Sequence, residues 1–210
     1  MYYGLLFTIA KEGLPFVLIP LGIAALLAFF GWWVAAIPLI LLALFMQFFF
    51  RDPGRVSPSG DGLIVSAADG RVTRIESNEQ GKLVSVFLSP FDVHINRSPI
   101  AGKITKITYT RGKKTPATSD SSSLVNERNS LVIAGEDLTV TCTQIAGILA
   151  RRIVCWPKEG DNLERGQKFG LIKFSSRTDV MMPPNVEIAV SIGDKVKGGE
   201  TIIGRLQTDQ

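Results

Sequence analysis

The sequence predicts a mainly β protein, a β-sandwich or barrel, preceded by an N-terminal hydrophobic helical hairpin. Three observations carry this. No charged residue occurs between Gly13 and Phe50. After Arg51, short runs of β-branched and aliphatic residues alternate with Gly, Asp and Asn, the punctuation of strands and tight turns. Finally, one glycine-rich turn pattern occurs twice in the last third of the chain.

The uncharged stretch of 38 residues is too long for one membrane span, which takes about 20 residues. It divides into Leu14 to Phe30 and Val34 to Phe50, joined by Phe29-Phe30-Gly31-Trp32-Trp33. Glycine supplies the turn, and the flanking aromatics favour the membrane–water interface. Lys11 before the first helix and Arg51 and Arg55 after the second put the positive charges on one side, which the positive-inside rule assigns to the cytoplasm. Each arm is short, so two full spans and a re-entrant hairpin both remain open. Glu12, the apolar length and the lack of a small-residue cleavage site argue against a signal peptide. Residues 1–50 are thus read as a membrane-anchoring hairpin, and residues 51–210 as a β-rich domain.

Arg51-Asp52-Pro53-Gly54 reads as a turn-rich linker. Strands are expected at Leu63 to Ser66, Arg71 to Glu76, Leu83 to Leu88, Gly102 to Tyr109, Ser130 to Ala134, Leu138 to Gln144 and Ile148 to Cys155. The polar segment Arg111 to Ser123 reads as a surface loop of the length often used for lids or membrane contact. Gly160-Asp161-Asn162-Leu163-Glu164-Arg165-Gly166 and Gly193-Asp194-Lys195-Val196-Lys197-Gly198-Gly199 share the pattern G-D-x-apolar-x-x-G. This resembles the turn of lipoyl-type sandwiches and indicates two similar hairpin units, without chemistry of its own. Cys142 and Cys155 lie in apolar, strand-like contexts and form no CxxC pair or zinc pattern. They read as buried free thiols, with a mutual disulfide as the alternative.

Lys11 and Glu12 cancel, so the net charge of +4 belongs to the β-rich part. Beside a membrane segment, that balance suits docking on anionic headgroups. No basic cluster is interleaved with aromatics, so the pattern of a nucleic-acid surface is missing.

Chemistry has few candidates. The only histidine, His94, stands with Asp92, Asn96 and Arg97 between Pro90 and Pro99, a rigid polar segment unlike a core strand. Histidine is the side chain suited to move protons near neutral pH. Asp69 lies in Ala68-Asp69-Gly70, where a plain Asp-Gly turn and a catalytic role are both open. Ser175-Ser176 followed by Arg177 and Asp179 interrupts an apolar strand. There is no GxSxG elbow and no second histidine, so a hydrolase triad is not supported.

These residues fall in runs that resemble the short phosphatidylserine decarboxylases, including the archaetidylserine enzymes. The runs are Phe49-Phe50-Arg51-Asp52-Pro53, Ala68-Asp69-Gly70-Arg71-Val72, Ser89 to Pro99, Asn126-Glu127-Arg128-Asn129, Gln144-Ile145-Ala146-Gly147, Ala150-Arg151-Arg152-Ile153 and Gly170 to Val180. Their order and coverage are specific where each alone is weak. The resemblance implies self-cleavage between Ser175 and Ser176, giving a β chain of residues 1–175 and an α chain of residues 176–210. It also implies a covalent pyruvoyl cofactor made from Ser176, which accepts the headgroup amine and serves as electron sink when CO2 leaves. His94 then transfers protons, Asp69 orients or supports the base, and Arg97, Arg151, Arg152 and Arg177 are candidates for the substrate's anionic groups. No metal is implied. The partners implied are phosphatidylserine and an anionic membrane, with an α/β heterodimer from one precursor. Exposed β edges are compatible with a homodimer, and the tail chemistry of the lipid is left open.

Two departures stand out. Ser175 replaces the family's usual glycine at the cut, and Arg97 stands where longer bacterial members have the second histidine of H-x-x-H. Either His94 covers both proton-transfer duties, or Arg97 and a water share them. The alternatives to the decarboxylase are an unprocessed membrane lipid-binding relative of the same fold, which Ser175 favours, and a lipoyl-like adaptor. The adaptor leaves His94 and Ser175-Ser176 unexplained.

Overall fold

The computed structural model describes residues 8–112, 125–147, 152–173 and 176–207. The chain divides into two compact units, residues 1–54 and 55–210. The first is the expected hairpin. Helix α1 (Leu14–Phe29) and helix α2 (Trp33–Phe49) are joined at Gly31, whose φ of 81° supplies the reversal. Strands β1 (Thr8–Ile9) and β2 (Arg51–Asp52) pair antiparallel and close its base. The predicted linker residues Arg51 and Asp52 are therefore in a strand.

The helices meet through small side chains: Ala24, Ala36 and Ala43 are buried, as in membrane helix pairs where close approach replaces a hydrophobic drive. Leu18, Ile19, Leu41 and the turn residues Phe29, Trp32 and Trp33 are exposed. The stretch Lys11–Phe29 is long and apolar enough to cross a membrane, whereas Trp33–Phe49 is shorter.

The second unit is built from β3 (Leu63–Val65), β4 (Gly70–Asn78), β5 (Gly81–Leu88), β6 (Ile95–Arg97), β7 (Gly102–Thr110), β8 (Arg128–Ala134) and β9 (Thr139–Ala146). It continues with β10 (Arg152–Cys155), β11 (Asn162–Leu163), β12 (Lys168–Lys173), β13 (Ser176–Met182), β14 (Val186–Ile188), β15 (Lys195–Val196) and β16 (Ile202–Leu206). Among the described residues these form an eight-stranded sheet, β11-β7-β8-β9-β13-β5-β4-β15, curled into a half-barrel. Two three-stranded sheets, β10-β12-β6 and β14-β16-β3, complete it. Ile64, Leu88, Ile104, Leu131, Ile133, Phe169 and Ile203 are fully buried in one core. Cys142 joins them as a free thiol, and burial pushes its pKa up. Cys155 is also free and half-buried.

Strand β6 was not expected. Its residues read as polar, yet Ile95, Asn96 and Arg97 are all buried where β6 pairs with β12. The predicted 111–123 loop and the first part of the Ile148 to Cys155 strand lie largely outside the described residues.

The repeated turn marks a larger duplication. Gly160 N–H donates to the Ile104 carbonyl at 2.8 Å, and Gly193 N–H to the Val72 carbonyl at 2.8 Å. Ile104 N–H and Val72 N–H donate back to Asp161 and Asp194, each at 2.9 Å. The Asp161 and Asp194 carboxylates accept from Lys158 N–H and Ser191 N–H, both at 2.8 Å. Strands β6 to β12 thus repeat the arrangement of β3, β4, β5 and β13 to β16. The first copy is split in sequence, and the second is inserted into it. The chain returns to the split copy through residues 174–175, between β12 and β13.

The copies touch at Gly166 and Gly199, with φ of 79° and 78°. A Cβ at Gly199 would stand 2.8 Å from Arg97 Cδ and 3.3 Å from Gly166 Cα. Gly199→Ala is therefore expected to lower stability by about 1–2 kcal/mol from the left-handed backbone alone, read by denaturant unfolding. An unchanged midpoint would mean that this contact bears no load.

Candidate active site

Strand β13 is central. Ser176, its first residue, lies between Leu88 at the end of β5 and Ala146 at the end of β9. Its hydroxyl is buried and, among the described residues, has no hydrogen-bond partner. A buried hydroxyl left in that state costs about 1–3 kcal/mol, so the position is not explained by stability.

The chain leaves β5 beside Ser176, turns through residues 89–94 and enters β6 beside β12. Ile172 N–H donates to the His94 carbonyl at 3.3 Å. One end of the histidine loop therefore lies beside Ser176 and the other beside the end of β12. Pro90 and a side-chain clasp stiffen it. The Asp92 carboxylate accepts from Ser89 N–H at 2.9 Å and Ser89 Oγ at 2.6 Å.

His94 is 2% exposed. Its Nδ1 lies 2.9 Å from the Asp92 carbonyl. A carbonyl only accepts, so Nδ1 carries a proton and Nε2 is the nitrogen left to gain or lose one.

Asp69 lies just before β4. Its carboxylate accepts from Arg55 Nη2 at 2.7 Å and from Gly198 N–H at 2.8 Å. Arg55 also binds Glu200 at 2.8 Å. Arg97 N–H donates to the carbonyl of Ala67, two residues before Asp69. This ties the Asp69 turn to the strand that follows His94. The segments bearing Asp69, His94 and Ser176 are in this way gathered at one end of the sandwich.

The arginines separate. Arg97 is buried, with Nη1 donating to the Gly166 carbonyl at 3.1 Å. Arg152 is exposed at the start of β10, opposite Lys173. Arg177 follows Ser176, but strand alternation turns it to the opposite face of the sheet. There its Nε stands 2.9 Å from Asp179 Oδ1, and its Nη2 donates to Asp179 Oδ2 at 3.1 Å. Burial raises the Asp179 pKa against the opposing pull of Arg177. Arg151 and Ser175 lie outside the described residues.

Sequence reasoning gave Arg55, Lys173, Asn96, Gln144 and Thr178 no part in the site, Arg55 entering only as a charge flanking the hairpin. A signal for the last two was present. Val140, Cys142, Gln144 and Ala146 share a buried face of β9, and Ser176, Thr178, Val180 and Met182 share one face of β13. In each strand, polar residues enter an apolar series at the same end of the sheet.

A family model described as phosphatidylserine decarboxylase matches residues 42–204. The phosphatidylserine decarboxylase proenzyme of Symbiobacterium thermophilum is 49% identical over 206 residues, covering 94% of this chain and 95% of that protein. The proenzyme of Syntrophus aciditrophicus is 44% identical, covering 93% of this chain and 96% of its own length. That of Geotalea uraniireducens is 43% identical, with 94% and 96% covered. Likeness of this extent takes in the histidine loop and the Ser176 strand together, and the chain belongs to the phosphatidylserine decarboxylase family.

Proposed function

We propose that this chain cuts itself between Ser175 and Ser176 and then decarboxylates phosphatidylserine to phosphatidylethanolamine with a pyruvoyl group derived from Ser176. The observation that carries the reading is the Ser176 hydroxyl, buried and without a hydrogen-bond partner among the described residues, at a strand start beside one end of the histidine loop. An oxygen in that state is available for chemistry, and it is the donor atom that pyruvoyl formation requires.

In the cleavage step, Ser176 Oγ adds to the Ser175 carbonyl carbon, and the peptide nitrogen leaves that carbon. An ester replaces the amide. Loss of the residue-176 α-proton then expels the Ser175 carboxylate, leaving a dehydroalanine at the new N-terminus. Water hydrolyses its enamine and releases ammonia, which completes the pyruvoyl group. Ring nitrogen Nε2 of His94 is the group assigned to these proton movements and to proton return after CO2 loss. Asp69, clamped by Arg55 and Gly198 N–H, supplies fixed negative charge in support of the base. A pyruvoyl group at position 176 would supply a carbonyl for the substrate amine and an electron sink for the carbanion left by CO2.

Arg152, with Lys173 opposite it, and Arg151 are assigned to the headgroup's phosphate and carboxylate. Arg97 is assigned to the site's interior. The hairpin of residues 1–50 holds the enzyme at its substrate's surface, with the catalytic domain on the cytoplasmic side.

Strand pairing supports a mature α chain that stays bound. Strand β13 is hydrogen-bonded to β5 and β9, β15 to β4, and β16 to β3. All those partners precede Ser175.

Intact-mass analysis is expected to show two polypeptides meeting at 175/176 that co-elute natively and separate in denaturant, the C-terminal one reactive with hydroxylamine. One uncut chain in membranes that make phosphatidylethanolamine would defeat the reading and favour the unprocessed relative. Ser176→Ala is expected to abolish both cleavage and CO2 release, whereas continued processing would transfer the nucleophile's role to Ser175. Replacing His94 by Ala is expected to slow cleavage, decarboxylation or both by about 10²-fold or more, and normal rates in both assays would remove it from the mechanism. Deleting residues 1–50 is expected to shift the protein from the membrane to the soluble fraction, and retention on the membrane would locate the anchor elsewhere.

A further inference from the structure

Below Ser176 runs a chain of four buried polar side chains. Asn129 Nδ2 donates to Gln144 Oε1 at 3.1 Å, and Gln144 Nε2 to Asn96 Oδ1 at 2.9 Å. Asn96 Nδ2 donates to Thr178 Oγ1 at 2.9 Å and lies 3.4 Å from the Ala67 carbonyl. None of the four is more than 3% exposed. The orientation of the amides is fixed. Ala67 offers only an acceptor, so the Asn96 nitrogen faces it and its oxygen faces Gln144. Gln144 must then present its nitrogen, which also lies 3.4 Å from the Val154 carbonyl. Gly170 leaves the room: a Cβ there would stand 3.1 Å from Gln144 Nε2.

The placement of Asn96 is what gives the chain meaning. It follows His94 by two residues, while Thr178 follows Ser176 by two and Ala67 precedes Asp69 by two. One carboxamide therefore bonds to both other segments, at the same offset from each candidate catalytic group. In a strand, residues two apart share a face.

We infer that Asn96 is a positioning residue for self-cleavage, its amide setting the spacing of the Asp69, His94 and Ser176 segments through Thr178 and Ala67, with Gln144 and Asn129 holding it in orientation. The inference rests on the site reading above and deepens it. Its mechanism is geometric. Without the Asn96–Thr178 bond, the start of β13 keeps its backbone ladder but loses its side-chain tie to the histidine strand. Misplacement of reacting groups by about 1 Å can cost on the order of 10²-fold in rate.

The test compares Thr178→Val, which keeps the shape and removes the acceptor, with Thr178→Ser, which keeps the oxygen. Self-cleavage of the full-length precursor is followed by intact mass, and thermal midpoints are measured with each variant placed in the Ser176→Ala precursor. The expected result is cleavage slowed about 10- to 100-fold in the valine variant and within about twofold of the parent in the serine variant, at similar midpoints. Parental rates in Thr178→Val would overturn the inference. So would equal slowing by Val and Ser, which would assign the effect to methyl packing. Should the valine variant not fold, Thr178→Ala against Thr178→Ser makes the same comparison. Ser176→Ala alone separates the two levels: cleavage there sinks the site reading, whereas its absence beside normal cleavage in Thr178→Val sinks only the role of Asn96.

Discussion

The rest of the structure depends on the double pairing of β13. Its backbone is hydrogen-bonded to β5 along one edge and to β9 along the other. A strand held on both sides cannot slip by one residue without turning every side chain to the wrong face. That constraint puts Ser176, Thr178 and Val180 on one face of the strand and the buried pair Arg177 and Asp179 on the other.

Duplication explains where the chemistry sits. Two copies of a seven-strand arrangement, counted among the described residues, share one core, and their glycine turns superpose in hydrogen bonding down to the carboxylate of each Asp. What differs is the connectivity. The second copy is continuous and interrupts the first, so the chain crosses between copies just after β5 and again just before β13. His94 lies in the first crossing, and the second ends at Ser176, the first residue of β13. The candidate site occupies the place where the repeat is broken, and the paired turns elsewhere are free of it.

Much of this was legible in sequence because hydrophobic spacing and glycine turns are local signals. The hairpin, most strands and the doubled turn follow from them. Strand β6 did not, because its pattern of Asn and Arg reads as loop unless β12 is known to cover it. Ser176 and His94 were recognisable only through the runs in which they stand. No local feature marks a hydroxyl as lacking a partner, since that depends on what β5 and β9 bring beside it. The same holds for Arg177: adjacency to Ser176 suggests a shared site, while strand alternation separates them. The bonds from Asn96 join residues 67, 96 and 178, separations that no window of sequence spans.

The split copy also sets an order of events during synthesis. Strands β6 to β12 can complete one half of the sandwich as they emerge, but the slot between β5 and β9 stays open until residues 176–182 leave the ribosome. On the proposed reading, Ser176 is thus among the last parts delivered to a site whose His94 and Asp69 precede it in the chain. On that reading a chain interrupted before that point has nothing to cut, and self-cleavage would wait on the finished fold.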